Sequence, residues 1–366
     1  MKFISVFTAV ILFPVISYSS PIINSTDKST LVHNGLITVS GQTFGIKSPA
    51  APYFYDNFDG GSSGASIIGK PGTVGTSVWK RYGNVDVKYS NTTPYGGRGL
   101  GVYKQSPGDD FNTGAIDGLR SKKIFFSVNY KWAASGTNWG DYSTVYKPLR
   151  VTGSSGLYTN YPAVKTQCQP MGNYCYDAYG STNIADNFPY LAQSQWHRSD
   201  IYSTISDVGV GNGVVKTWHD LVQNMNLTNA VTRRTSTEDD NYDSSLIPME
   251  VANNSEQTYT FYADNFYLDN TLARVELCDS AVWSTKKTCD LQIPTKWDAS
   301  SLTFMANQGA FVAGKTAYLY VVDADGNVSN NGNGYPITIG DGAALPAPAP
   351  VPAPIVAPTG LRVIGQ

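Results

Sequence analysis

Between Lys123 and Trp132 apolar and polar residues alternate. Ile124, Phe126, Val128, Tyr130 and Trp132 share one side of an extended chain, and Phe125, Ser127, Asn129 and Lys131 share the other. A period of two is the signature of a strand with one face buried. Related segments recur at 85–89, 100–104, 143–151, 196–203, 213–219 and 258–268, separated by Gly, Asn, Asp and Ser turns. No stretch joins a 3.6-residue apolar stripe to helix caps. The pattern predicts an all-β chain whose main unit, 51–272, is a sandwich or jelly roll. Further strand-like runs at Ala273–Leu277, Asp290–Ile293, Leu302–Ala306 and Thr316–Val322 predict a second β unit over 273–340. Residues 20–50 are polar and without clear period, which reads as a leader or a peripheral strand. Residues 341–366 are rich in Ala and Pro, an extended, semi-rigid tail.

Composition agrees with this picture. Tyr occurs 24 times and Gly 35 times in 366 residues, a mixture that suits pleats and turns. The net charge of −2 offers no basic field for nucleic acid or anionic membrane. Residues 1–19 read as a signal peptide: Lys2, an apolar run from Phe7 to Ile16, and small residues at Ser17 and Ser19. That run is too short to span a bilayer, which needs about 20 residues. The expected protein is therefore exported, without membrane insertion of the mature chain. In an oxidising compartment the cysteines suggest two local disulfides, Cys168–Cys175 and Cys278–Cys289. Other connectivities stay open, and the spacings argue against zinc. Sequons stand at Asn24, Asn91, Asn226, Asn253 and Asn327.

Several motifs resemble laminin-G and other concanavalin A-like domains. Tyr55-Asp56-Asn57-Phe58-Asp59 resembles their opening strand. Gln195-Trp196-His197-Arg198-Ser199-Asp200-Ile201-Tyr202 resembles their crossing strand, and Gly213 to Trp218 its partner. Tyr262-Ala263-Asp264-Asn265-Phe266-Tyr267-Leu268-Asp269 resembles the closing strand. The resemblance implies a jelly-roll sandwich over 51–272. Trp297 to Phe304 and Gly314 to Ser329 resemble the immunoglobulin-like IPT/TIG module, which implies a small Ig-like spacer or accessory unit. Ala357 to Val363 looks like the opening strand of a fibronectin type III module that does not follow.

Candidate chemistry centres on carbohydrate. The concanavalin A-like glucanases carry E-x-D-x-x-E, two carboxyl groups about 5–5.5 Å apart for a retaining mechanism. Glu occurs only at 238, 250, 256 and 276, so that mechanism is excluded, while an Asp-based pair stays open. Uronate elimination needs a cation or amide beside the carboxylate, plus a base and an acid. The nearest material is Lys131, Lys147, Arg150, His197 and Arg198, together with the tyrosines; the jelly-roll alginate lyases' Gln-x-His is missing. His197 stands where laminin-G-like domains keep a structural His, and that reading outweighs the catalytic one. His219 is ambiguous, and His33 falls in the leader.

Sugar binding has the best support. Aromatic rings accept the flat C–H faces of sugars, and polar side chains bond the hydroxyls. Residues 132–190 are dense in both. Trp139, Tyr142, Tyr174, Tyr176 and Tyr179 are the candidates, with Trp132 assigned to the core. Pairing of the first and last strands would bring Asp56 or Asp59 near Asp264 or Asp269, a candidate structural calcium site. Asp323, Asp325 and Asn327 imitate an EF-hand start but read as a hairpin turn. The expected function is a secreted protein that binds an extracellular polysaccharide. A jelly-roll lyase or hydrolase and an adhesive structural protein are the alternatives.

Overall fold

The computed structural model describes residues 19–341 apart from 82–85, 96–98, 108–113, 136–144, 154–162, 170–173, 180–184, 190, 247–249 and 253–257. Regular structure among the described residues is β-strand, with two short 3-10 turns. Among them no helix is long and apolar enough to cross a membrane.

The main unit is a jelly-roll sandwich of two curled sheets. The first sheet runs, edge to edge, Val222–Ala230, Gly213–His219, His197–Thr204, Lys123–Ser135, Thr258–Asp269, Gly101–Pro107 and Lys88–Ser90, with Phe54–Asp56 also pairing Thr258–Asp269. The second runs Ala185–Pro189, Tyr174–Tyr179, Ala163–Gln169, Val145–Gly153, Tyr242–Leu246, Gly114–Ile116 and Lys80–Arg81, with Glu250–Ala252 pairing Val145–Gly153. All of these ladders are antiparallel. Their inner faces close on one core that includes Phe54, Trp79, Phe126, Tyr130, Trp132, Val151, Val164, Tyr242 and Phe266. Each such ring or aliphatic chain removed from water contributes about 1.5–3 kcal/mol. The alternation at 123–132 is realised as read: Ile124, Phe126, Val128, Tyr130 and Trp132 are all fully buried in this core.

The leader behaves differently from its sequence reading. Ile22–Thr26, Thr30–Leu31 and Leu36–Gln42 are strands of the second β unit, not a peripheral appendage. That unit is one eight-stranded path: Ile22–Thr26, Leu36–Gln42, Ser301–Met305, Cys289–Trp297, Arg274–Cys278, Thr316–Val322, Tyr335–Ile339 and Thr30–Leu31. Cys289–Trp297 turns the corner. Its first half pairs Arg274–Cys278 and its second half pairs Ser301–Met305, with a register shift between Pro294 and Lys296. A bulge of this kind bends a strand from one layer into the next. Ile37, Val39 and Phe44 from the leader share a core with Val275, Leu277, Phe304 and Leu319. The jelly roll is thus inserted into the small sandwich, rather than placed ahead of a self-contained 273–340 module. The polar look of 20–50 has a simple cause. On Leu36–Gln42 only Ile37, Val39 and Gly41 are buried; Leu36, Ser40 and Gln42 are exposed and Thr38 is half-buried.

The small sandwich docks on the outer face of the first jelly-roll sheet. Tyr55, Phe125, Tyr202 and Tyr267 meet Leu272, Leu291 and Ile293, with Trp218 and Met305 at the margin. Phe125 lies on the polar side of the sequence alternation, and this contact is what it serves. The Arg274 guanidinium sits 5.1 Å from the Phe125 ring centre. Arg198 crosses the same seam. It grips both oxygens of Asp200 at 3.0 Å and reaches Glu276 Oε2 at 3.3 Å and the Cys289 carbonyl at 3.1 Å. Arg274 also donates to Glu276. Cys278 and Cys289 form a disulfide beside this cluster, as the spacing suggested.

Two outcomes follow for the seam. Breaking a buried ion pair by removing one partner strands the other charge, at a cost of about 3–5 kcal/mol. Arg198→Met should lower unfolding free energy by that amount in urea titrations at pH 7, and an unchanged midpoint would contradict the assignment. Burial alone would push the Glu276 carboxyl up, but Arg198 and Arg274 hold it down at about 2 from an ordinary 4.5. The unfolded chain then binds this proton more readily than the folded one. The contribution is complete above about pH 4.5 and is lost on acidification towards pH 2. Glu276→Gln should flatten the acid limb of the stability profile across that window.

Candidate carbohydrate-binding faces

The sandwich offers two outer faces. On the second sheet, Val151, Val164, Cys175 and Tyr179 belong to the core. The pleat assigns the alternate positions to the opposite side. There Arg150 pairs with Lys165 and Lys165 with Ala178, while Gln167 pairs with Tyr176 and Gln169 with Tyr174. Lys147 lies three residues before Arg150, opposite Glu250. Five of the predicted residues therefore concern these few strands: Lys147, Arg150, Tyr174, Tyr176 and Tyr179. Arg150 and Thr152, which share this side of the strand, are both buried, so chain covers part of this face. Trp139 and Tyr142 lie outside the described residues, and so do Tyr158, Tyr161 and Tyr190.

Tyr179 does not meet solvent as predicted. It is 6% exposed and belongs to the core. The reason is parity: on Tyr174–Tyr179 it shares the inward side with Cys175 and Asp177, and its Gly neighbour says nothing about facing. Cys175 is disulfide-bonded and stands opposite Cys168 in the ladder, and no described cysteine is free.

His197 and Arg198 are structural in their surroundings. The His197 ring contacts Asp220 Oδ2 at 2.8 Å and the Ala192 carbonyl at 3.0 Å, so both nitrogens are engaged. Burial opposes its charge, but the bond and charge of Asp220 outweigh that and raise its pKa. Arg198 is fully committed to the seam. The opening and closing strands do pair, Phe266 with Asp56 and Leu268 with Phe54. Asp56 accepts from the Trp79 indole at 2.7 Å and from Phe58 N at 2.8 Å, and burial pushes its carboxyl up to about 6. Asp59 accepts from Leu100 N at 2.8 Å. Burial, then Asp59, Asp290 and Asp56, push Asp264 well up. Asp269 is engaged elsewhere, in a buried ion pair with Lys47 at 2.9 Å. Among the described residues, Glu276, Cys278 and Cys289 form the one trio whose ligand atoms converge. Two of those are in the disulfide. Asp59 raises the pKa of Asp56 and Asp264, and these three carboxylates are not among the converging ligand groups of the described residues.

Between the sheets lies a polar chain that the sequence did not announce. Ser199 Oγ is 2.8 Å from His219 Nδ1, and His219 Nε2 is 2.9 Å from Asp177 Oδ2. Thr217 and Asn224 donate to the same carboxylate at 2.5 and 2.7 Å. Ser199 and Asp177 are wholly buried, and the trio forms a hydrogen-bonded bridge between the sheets. The His and the Thr stand two apart on one strand, but Asp177 and Ser199 come from elsewhere; only the sheet-to-sheet packing brings them together.

The outer face of the first sheet is divided. Its lower rows lie under the small sandwich. One row beyond, Tyr103 stands opposite Tyr262, and Tyr262 opposite Lys131. Trp196 precedes His197, the partner of Tyr130, and so continues the row. All four side chains are half-buried. The Lys131 ammonium lies 4.8 Å from the Tyr262 ring centre and 5.5 Å from that of Trp196. Tyr103 and Tyr262 are 6.2 Å apart and tilted by 30°. Burial lowers the Lys131 pKa.

Asp177→Ala should leave His219, Thr217 and Asn224 without their shared acceptor. A loss of about 2–5 kcal/mol is expected in chemical denaturation, with any glycan affinity of the folded fraction unaltered.

No family model matches the sequence, and no curated protein matches it. Among solved structures the chain is similar to an endo-β-1,4-glucuronan lyase from the fungus Trichoderma reesei, at 12% identity and a TM-score of 0.40, covering 61% of this chain and 97% of that one. It is similar to alginate lyase Aly36B in complex with an alginate trisaccharide, at 9% identity and a TM-score of 0.44, covering 60% and 99%. It is also similar to alginate lyase vAL-1 from Chlorella virus, at 14% identity and a TM-score of 0.33, covering 51% and 93%.

Proposed function

We propose that this is an exported protein that binds an extracellular polysaccharide bearing carboxylates, with the binding surface on the outer face of the second sheet. One observation carries the reading. Arg150 and Lys165 are directly paired on neighbouring strands, two positions from the Gln167–Tyr176 pair. Core residues Val151, Val164, Cys175 and Tyr179 take the alternate positions. Cations suit the carboxylates of a uronate chain; amides and phenols suit its hydroxyls.

A lyase reading shares this surface. His197 is a poor base for it, because both ring nitrogens are engaged within the sandwich. Tyr176, paired with Gln167, is the better acid–base candidate.

The test uses a polyuronate hexasaccharide in titration calorimetry, alongside ultraviolet absorbance for unsaturated uronate. Wild type should bind, and Arg150→Ala should weaken binding by about tenfold or more, the worth of a charged hydrogen bond. Thermal melts identify the folded fraction, and Arg150→Lys should recover part of the loss. Equal affinity of wild type and a folded Arg150→Ala would end the proposal. Growth of absorbance that Tyr176→Phe abolishes, with binding kept, would assign lyase chemistry to the same face.

A further inference from the structure

We infer that the opposite side of the jelly roll carries a second, independent glycan site, the row Tyr103–Tyr262–Lys131–Trp196, built for a sugar chain with an anionic group. The row crosses four neighbouring chain segments of the first sheet. Three inter-strand spacings give it a length of about 14 Å, a flat strip suited to a short run of sugar rings.

Its composition is what marks it. The cations of the seam have carboxylates: Arg198 has Asp200 and Glu276, Arg274 has Glu276, and Lys47 has Asp269. Lys131 has none among the described residues; its neighbours are the rings of Tyr262 and Trp196. Asn129, two residues back on the same strand and on the same face, is half-buried and likewise has no side-chain hydrogen bond among the described residues. A desolvated ammonium between two ring faces is held in place by cation–π attraction, about 0.5–2 kcal/mol per ring, and its remaining protons point for an acceptor. A carboxylate or sulfate ester on a glycan supplies one, Asn129 reaches a hydroxyl, and the rings of Tyr103 and Trp196 take C–H faces on either side. The Lys131 charge chooses the occupant: a neutral glycan or an apolar protein surface would leave the ammonium unanswered and further desolvated.

The small sandwich supports the assignment from the other direction. It covers Phe125, Tyr202, Tyr267 and Trp218 with Leu272, Leu291 and Ile293. Under the small sandwich, Phe125, Tyr202 and Tyr267 are buried. Where the rings flank Lys131, the fold leaves them half-open.

The experiment measures a polyuronate hexasaccharide and its carboxyl-reduced counterpart, in which each acid is an alcohol, against the full chain by calorimetry. Arg150→Ala serves as the background, so that only this row contributes. Lys131→Gln in that background should lower affinity for the acidic oligosaccharide by about tenfold and leave the reduced one unchanged. Trp196→Ala should weaken both. Unchanged acidic affinity in folded Lys131→Gln and Trp196→Ala proteins overturns the second site, and equal binding of the two oligosaccharides by the unsubstituted row overturns its anionic preference. Loss of all binding in the Arg150→Ala background also overturns it, while leaving the first face standing.

Discussion

The docking of the small sandwich on the first jelly-roll sheet governs the rest of the molecule. One guanidinium, Arg198, holds Asp200 from its own strand and Glu276 from the other unit, inside an apolar seam that includes Phe125, Tyr202, Tyr267, Leu291 and Ile293. A buried ion cluster contributes little net energy compared with apolar packing, but it penalises any other register of the two surfaces, since a slip would strand three charges. The seam therefore fixes which part of a broad β face is closed and which part stays open.

The chain path makes this docking persistent. Along the described residues the path runs through strands of the small sandwich, then the whole jelly roll, then back to the remaining strands of the small sandwich. Two covalent crossings join the units, near residues 43–53 and 270–273, and the Lys47–Asp269 ion pair ties the crossings to each other. A unit held by two crossings loses less freedom on docking than one on a single linker, so a modest seam suffices. Both proposed glycan faces are on the inserted unit, on opposite sides of it.

Buried polarity in this fold falls into two kinds. In the seam and in the Ser199–His219–Asp177 bridge, every charge meets an opposite charge or a donor. The junction of the opening and closing strands is different. There burial raises Asp56, Asp59 and Asp264, the Asp59 charge adds to the first and last of these, and hydrogen bonds from Trp79, Phe58, Leu100 and Asn265 offset only part of that cost. Lys131 is a third case, a cation whose neighbours among the described residues are rings.

The amino-acid sequence determined the strand character of the chain, because a period of two survives any arrangement of partners. It also determined which side of Lys123–Trp132 enters the core, and it suggested the Cys278–Cys289 disulfide, closed by a short local hairpin. The same alternation put Lys131 and Asn129 on the outward side. Strand pairing supplied the rest, because neighbours across a sheet are distant along the chain: Tyr103, Tyr262 and Trp196 join Lys131 only through register. Parity misled the reading at Tyr179, where turn residues nearby suggested exposure and the pleat turned the ring inward. The leader was misread because a strand with one face in water and another in a shared core shows few apolar residues. Its role emerged only when residues some 250 positions away supplied the other half of that core, a contact that tertiary structure alone creates.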